Sequence, residues 1–146
     1  SLDGENSPGW VMSNVGAERG TTTGRIRRCG WLDIPVLRRS IELNGLDAIA
    51  LTKMDVLDEL DELKICVAYE LNGERVNRFP IDPEQADAVV PVYETFKGWK
   101  AKTAGVTKWE DLPAQARAYV ERIEELTKCR VSIVSTGPDR DHTIVR

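Results

Sequence analysis

The chain has 146 residues, 41% hydrophobic and 30% charged, with a net charge of −4 from 20 basic and 24 acidic side chains. That balance fits one globular domain or a piece of a larger one, and it excludes a disordered chain and a generically basic nucleic-acid binder. No apolar run approaches the ~20 residues of a membrane span, no secretory pattern opens the chain, and the three widely spaced cysteines form neither a CxxC pair nor a disulfide framework. Free thiols fit a reducing, cytosolic setting. The chain opens on Ser1 rather than Met, so a processed or cut polypeptide is expected.

Residues 3–24, rich in Gly, Ser and Thr, read as a long loop. Asp33 is a plausible N-cap for a helix with Pro35 in its first turn. Val36, Leu37, Ile41 and Leu43 approximate its apolar stripe, and Gly45 can close it. Strands are expected at Asp47–Thr52 and Leu63–Leu71. Asn72-Gly73 then signals a two-residue hairpin with Glu74–Val76 as the return strand. A short helix should start at Asp82-Pro83 and run to about Val89, followed by an extended Pro91–Phe96 and a break at Gly98-Trp99. The clearest helix opens at Asp111-Leu112-Pro113 and runs to about Lys128. Its apolar positions Leu112, Ala116, Tyr119, Val120, Ile123 and Leu126 recur at helical spacing. Arg130–Ser135 reads as a strand entering a Thr136-Gly137-Pro138 turn. Short strands alternating with helices, plus one β-hairpin, make the class α/β.

Three segments carry candidate chemistry. Thr21-Thr22-Thr23-Gly24-Arg25-Ile26-Arg27-Arg28 offers hydroxyls, loop amides and arginine forks suited to carboxylates and phosphates. The helix start near Asp33 would add a positive dipole end. The same eight residues also read as a solvated basic loop. Thr52-Lys53-Met54-Asp55 follows a strand. A carboxylate there can accept from both N1–H and the 2-amino group of guanine, whereas adenine would strand it unpaired. The lysine stem can lie along a base plane with its ammonium in water. Taken alone, the segment is also an ordinary charged strand end. Ser135-Thr136-Gly137 ends another strand, and its small side chains could expose N–H groups to a guanine O6, or form a plain polar turn. Ligands of open α/β sheets gather at such strand ends, and two together suggest a guanine nucleotide.

No GxxxxGK[ST] loop and no GxGxxG fingerprint is present. The single histidine, His142, reads as a surface residue, and the acidic run Asp55, Asp58, Glu59, Asp61 and Glu62 reads as a solvated helix face.

Thr22-Thr23-Gly24-Arg25, Arg27-Arg28-Cys29-Gly30-Trp31-Leu32-Asp33 and Leu51 to Asp58 resemble adenylosuccinate synthetase. So do Val67-Ala68-Tyr69, Pro91-Val92-Tyr93-Glu94, Gly98-Trp99 and Ser135 to Arg140, all in family order. The resemblance implies a GTP-dependent ligase of purine nucleotide biosynthesis. It joins IMP to L-aspartate through a 6-phosphoryl-IMP intermediate in a Mg²⁺-dependent, cytoplasmic homodimer. By the same resemblance, Thr21, Thr22, Thr23, Gly24, Arg25, Ile26 and Arg27 form the aspartate-binding loop. Arg25 also reaches IMP, and Arg27 lies near GTP. Lys53, Met54, Asp55, Ser135, Thr136 and Gly137 would hold the guanine. Ile26 stands where some members carry arginine or proline, which weakens the local positive field.

The resemblance covers the carboxyl-terminal third of a family member. It implies a loop-rich segment over 1–30 and an α/β portion over 31–146. The glycine loop, the catalytic aspartate and histidine, and the Mg²⁺ ligands would lie outside the fragment, leaving no catalytic residue in it and an isolated piece that is inactive. A stand-alone guanine-nucleotide-binding module remains an alternative. A nucleic-acid domain using Arg25, Arg27 and Arg28 is disfavoured by the net acidity.

Overall fold

The computed structural model describes residues 7–17, 19–80 and 82–146; residues 3–6 and Glu18 of the expected loop lie outside them. Eight residues of that loop are helical instead. Ser7 caps α1 (Pro8–Val15) by accepting from the Trp10 N–H at 3.2 Å, and Pro8 sits at the first helical position. A hydroxyl cap followed by proline is a helix-start signal that the high glycine content had masked. The helix ends at Gly16, where a Cβ would stand 3.0 Å from Val56.

Two small sheets follow. In the first, β1 (Leu32–Asp33) runs parallel to β3 (Glu62–Leu71), while β4 (Glu74–Val76) and β5 (Val90–Lys97) pair antiparallel with β3. The β3–β4 turn is the expected two-residue hairpin: Asn72 and Gly73 both have positive φ, 53° and 82°, which this tight turn requires. In the second, β2 (Ala48–Leu51) runs parallel to β6 (Arg130–Ser135), and β6 returns through β7 (Thr143–Val145), a strand not among those expected from the sequence.

The helices α2 (Ile34–Asn44), α3 (Pro83–Ala88) and α4 (Ala114–Thr127) fall close to their expected bounds. Asp33 caps α2, accepting from Val36 N–H at 3.0 Å, and Gly45 closes it at φ 59°. The stripe assigned to α2 is only half right: Val36 is 51% and Leu43 66% exposed, and the buried residues are Ile34 and Pro35. On α4 the expected face is correct. Ala116, Tyr119, Val120 and Ile123 are buried and pack with Leu63, Ile65, Val131, Val134 and Ile144 from both sheets.

The acidic run is not a helix face. Met54–Leu57 forms one 3₁₀ turn, and Asp58 is 8% exposed. Its carboxylate accepts from Trp99 Nε1, Thr103 N and Thr103 Oγ1, each at 2.7 Å. Three donors satisfy the charge and tie the 98–103 segment beneath the 3₁₀ turn. Gly98 is required there, since a Cβ would lie 1.9 Å from the Leu60 carbonyl.

Candidate functional site

The parallel pairing of β2 and β6 organises the site. Leu51 lies opposite Val134, so Thr52-Lys53 and Ser135-Thr136 leave the sheet side by side at the same carboxyl edge. Neighbouring strands are about 4.8 Å apart, so two segments more than 80 positions apart in the chain become adjacent turns. Lys53 adopts a left-handed backbone (φ 60°), which turns the chain sharply into the 3₁₀ turn, and its Nζ donates to the Gly16 carbonyl at 3.0 Å. The expected guanine lysine thus also fastens the end of α1.

Met54 and Asp55 have opposite fates. Met54 is 1% exposed and belongs to the core, so only its backbone is available to a ligand. Asp55 is half-buried, and its carboxylate has no hydrogen bond or ion pair among the described residues. An acceptor-only group left without a donor at a strand-end turn is equipped to take one from a ligand.

The second turn is more occupied than the sequence suggested. Thr136 is fully buried. Its N–H donates to the His142 carbonyl at 2.9 Å, its hydroxyl to the Val106 carbonyl at 2.7 Å, and its own carbonyl accepts from Gly105 N–H at 3.2 Å. It shapes the turn, and no polar group of it remains for a base. Ser135 Oγ donates to the Gly137 carbonyl at 3.1 Å. The Gly137 N–H has no partner among the described residues, so of the expected donors this is the one left open.

Reading His142 as a surface residue needs correction. Its side chain is only 34% exposed, its Nδ1 is buried, and the ring occupies the space a Cβ on Gly137 would need. Spacing could not reveal this, because the contact depends on the unrecognised β6–β7 hairpin.

The threonine–arginine segment is an exposed loop closed by a bridge between Arg19 and Ile26, with Gly20 N–H donating to the Arg25 carbonyl and Gly24 N–H to the Gly20 carbonyl, both at 2.8 Å. Thr21, Thr22 and Thr23 form its tip, Gly24 turns it at φ 64°, and Thr23 Oγ1 accepts from Arg25 N–H at 3.4 Å. Ile26 is solvent-exposed. The start of α2 does not serve this loop as an anion site, because the Asp33 carboxylate already occupies it and also accepts from the Tyr69 hydroxyl. Burial and that carboxylate push the Tyr69 phenol above its ordinary range.

Arg27 and Arg28 connect the loop to the strand edge. With Cys29–Leu32, Leu51–Lys53 and Tyr119 they line a cavity of about 320 Å³. Ser13 of α1 steadies this wall by donating to the Arg27 carbonyl at 3.0 Å. Neither the threonine tip, nor Asp55, nor the 135–137 turn lines that cavity. Among the described residues, no group of three or more His, Cys, Asp or Glu side chains converges, so they offer no cage for Mg²⁺. No helix among them is long and apolar enough to cross a membrane.

The adenylosuccinate synthetase family model matches residues 3–144. The chain is 54% identical over 139 residues to the adenylosuccinate synthetase of Acidovorax ebreus and 53% identical over 141 residues to that of Delftia acidovorans. These matches cover 95% and 97% of this chain but 30% and 31% of the relatives, so the chain spans about a third of their length. The structure superposes on fully ligated adenylosuccinate synthetase from Plasmodium falciparum with a TM-score of 0.91 at 39% identity, over 94% of this chain and 34% of that one. With sequence and fold in agreement over nearly every residue, the chain belongs to the adenylosuccinate synthetase family.

Proposed function

We propose that this chain supplies the guanine-recognition edge and the aspartate-binding loop of a ligase that joins IMP and L-aspartate at the expense of GTP. The observation that carries the reading is the juxtaposition of the two strand-end turns by the β2–β6 pair. One offers an unpartnered carboxylate at Asp55 and the other an open N–H at Gly137. A carboxylate complements N1–H and the 2-amino group, an N–H complements O6, and guanine is the purine that presents both edges together. The Lys53 stem flanks the base. The Thr21–Thr23 hydroxyls and Arg25 bind the aspartate substrate. Arg25 also meets IMP, and Arg27 stands toward GTP. These groups bind and orient, and their cationic forks offset charge that develops on transfer. Mg²⁺, when bound, neutralises phosphate charge, and its ligands come from outside this chain.

Asp55→Asn tests the reading in a full-length family enzyme carrying these 146 residues. The amide turns one acceptor into a donor that opposes the guanine 2-amino group, whereas xanthine places a carbonyl there. Loss of a hydrogen bond to a charged group is worth ~1.5–3 kcal/mol, or roughly 10- to 150-fold in apparent affinity. The preference should move from GTP toward XTP with little change in the IMP and aspartate requirements. Unchanged GTP affinity and no use of XTP would reduce Asp55 to a strand-end charge.

A further inference from the structure

We infer that His142 is a positioning residue for base recognition: its imidazole, seated over Gly137 and facing Gly105, fixes where the Gly137 N–H points. The inference rests on the guanine-site reading and adds to it a residue on the hairpin behind the turn. Three observations carry it. An ideal Cβ at residue 137 would stand 2.4 Å from His142 Nδ1, so the ring fills the space over Gly137, and it faces Gly105, where an added Cβ would lie 3.7 Å from Nε2. The His142 carbonyl accepts from Thr136 N–H at 2.9 Å and lies 3.3 Å from Thr136 Oγ1, so one residue holds the turn through both its backbone and its ring. Finally, Nδ1 is buried without a hydrogen-bond partner among the described residues, and the Asp139 carboxylate lies 3.7 Å from Nε2. A buried ring nitrogen without a partner is held by shape, not by its own hydrogen bonding, and leaving it so is costly. What the ring secures is the seat of the Thr136–Gly137 peptide. Its carbonyl accepts from Gly105 N–H at 3.2 Å, so its N–H points the opposite way, and Ser135 Oγ anchors the following Gly137 carbonyl at 3.1 Å.

Because that N–H would meet O6, which guanine and xanthine share, disturbing it should weaken both nucleotides alike. The full-length enzyme carrying these residues is assayed for GTP, XTP, IMP and aspartate saturation. His142→Ala should raise KM for GTP and XTP roughly tenfold, with KM for IMP and aspartate within about twofold. His142→Phe, which refills the wedge without Nδ1, should restore most of the GTP affinity. Gly137→Ala should weaken GTP binding on the wild-type background and lose much of that effect on the His142→Ala background, where the added methyl finds vacated space. Wild-type GTP KM in His142→Ala, additive Gly137 and His142 effects, or a rise of all four KM values together would overturn the proposal. If the alanine variant fails to fold, the decision passes to Gly137→Ala and His142→Phe. A GTP-selective loss in the former with near-normal binding in the latter supports the proposal, and a uniform loss in the latter overturns it. Asp55→Asn is run alongside: if it leaves the XTP-to-GTP preference untouched, the guanine reading itself fails. A shifted preference with an inert His142→Ala sinks only this inference.

Discussion

Two aspartates three positions apart show how a residue's surroundings decide its role. Asp55 and Asp58 belong to one acidic run, and nothing in their spacing separates them. Asp58 enters the interior with three donors around it, while Asp55 stays half-buried with none among the described residues. The first is therefore a structural charge and the second a candidate ligand contact. Asp58→Ala leaves the Trp99 indole N–H and two Thr103 donors buried without an acceptor, each costing ~1–3 kcal/mol if water cannot reach it. The expected outcome is a loss of about 3 kcal/mol or more in urea denaturation, with Asp58→Asn intermediate because its amide opposes one of the three donors. A change below about 0.5 kcal/mol in both variants would mean that water replaces the carboxylate.

At the scale of elements, what could be read from sequence was what local chemistry encodes. The Asp33 and Asp82 caps, the αL glycine at Gly45, the Asn72-Gly73 hairpin and the buried stripe of α4 all lie where their residue types place them. Helix α1 escaped because its single Ser-Pro start sits among glycines. The exposure of Val36 and Leu43 escaped because α2 packs through its first turn and one edge. Strand β7 and the His142 contact escaped because both depend on a hairpin partner. The residues proposed to meet guanine were legible as two separate turns, but the adjacency of those turns belongs to the parallel β2–β6 register, which no local pattern encodes. Helix α4 supplies a pH-dependent test. Burial pushes the Tyr119 phenol from 10 up to about 12. A folded-state pKa raised in this way contributes stability that is full below the unfolded value and is lost as pH rises from 10 toward 12. Denaturation midpoints should fall across that interval, by up to about 1.4 kcal/mol per pH unit for one tyrosine, and Tyr119→Phe should flatten the fall. An identical alkaline slope in the Phe variant would assign the loss to other groups such as Tyr69, whose phenol is raised by burial and by Asp33.

For the whole molecule, the proposed recognition edge contrasts with the shortage of reactive groups around it among the described residues. The chain has one histidine, and that ring is packed over Gly137 with Nδ1 buried. It has no glycine-rich phosphate loop of the GxxxxGK[ST] type. The Asp33 carboxylate already fills the start of α2, where an anion could otherwise bind. On the function proposed above, what the chain contributes is specificity: a carboxylate and an N–H for a base, and threonines and arginines for a carboxylate substrate. Binding groups and arginine charges without a base to activate a nucleophile, or a loop to cradle the phosphates, lower a KM but do not create turnover. The 146-residue chain alone is therefore expected to give background phosphate release with GTP, IMP, aspartate and Mg²⁺ together, in an assay where a full-length family enzyme turns over. Mixing it with a polypeptide covering the other two thirds of a relative should restore activity if the two associate, and that restored activity should carry the XTP preference of Asp55→Asn. Turnover by the mass-verified chain on its own would show that its residues suffice for phosphoryl transfer, and would move the catalytic groups into the loop at 21–28.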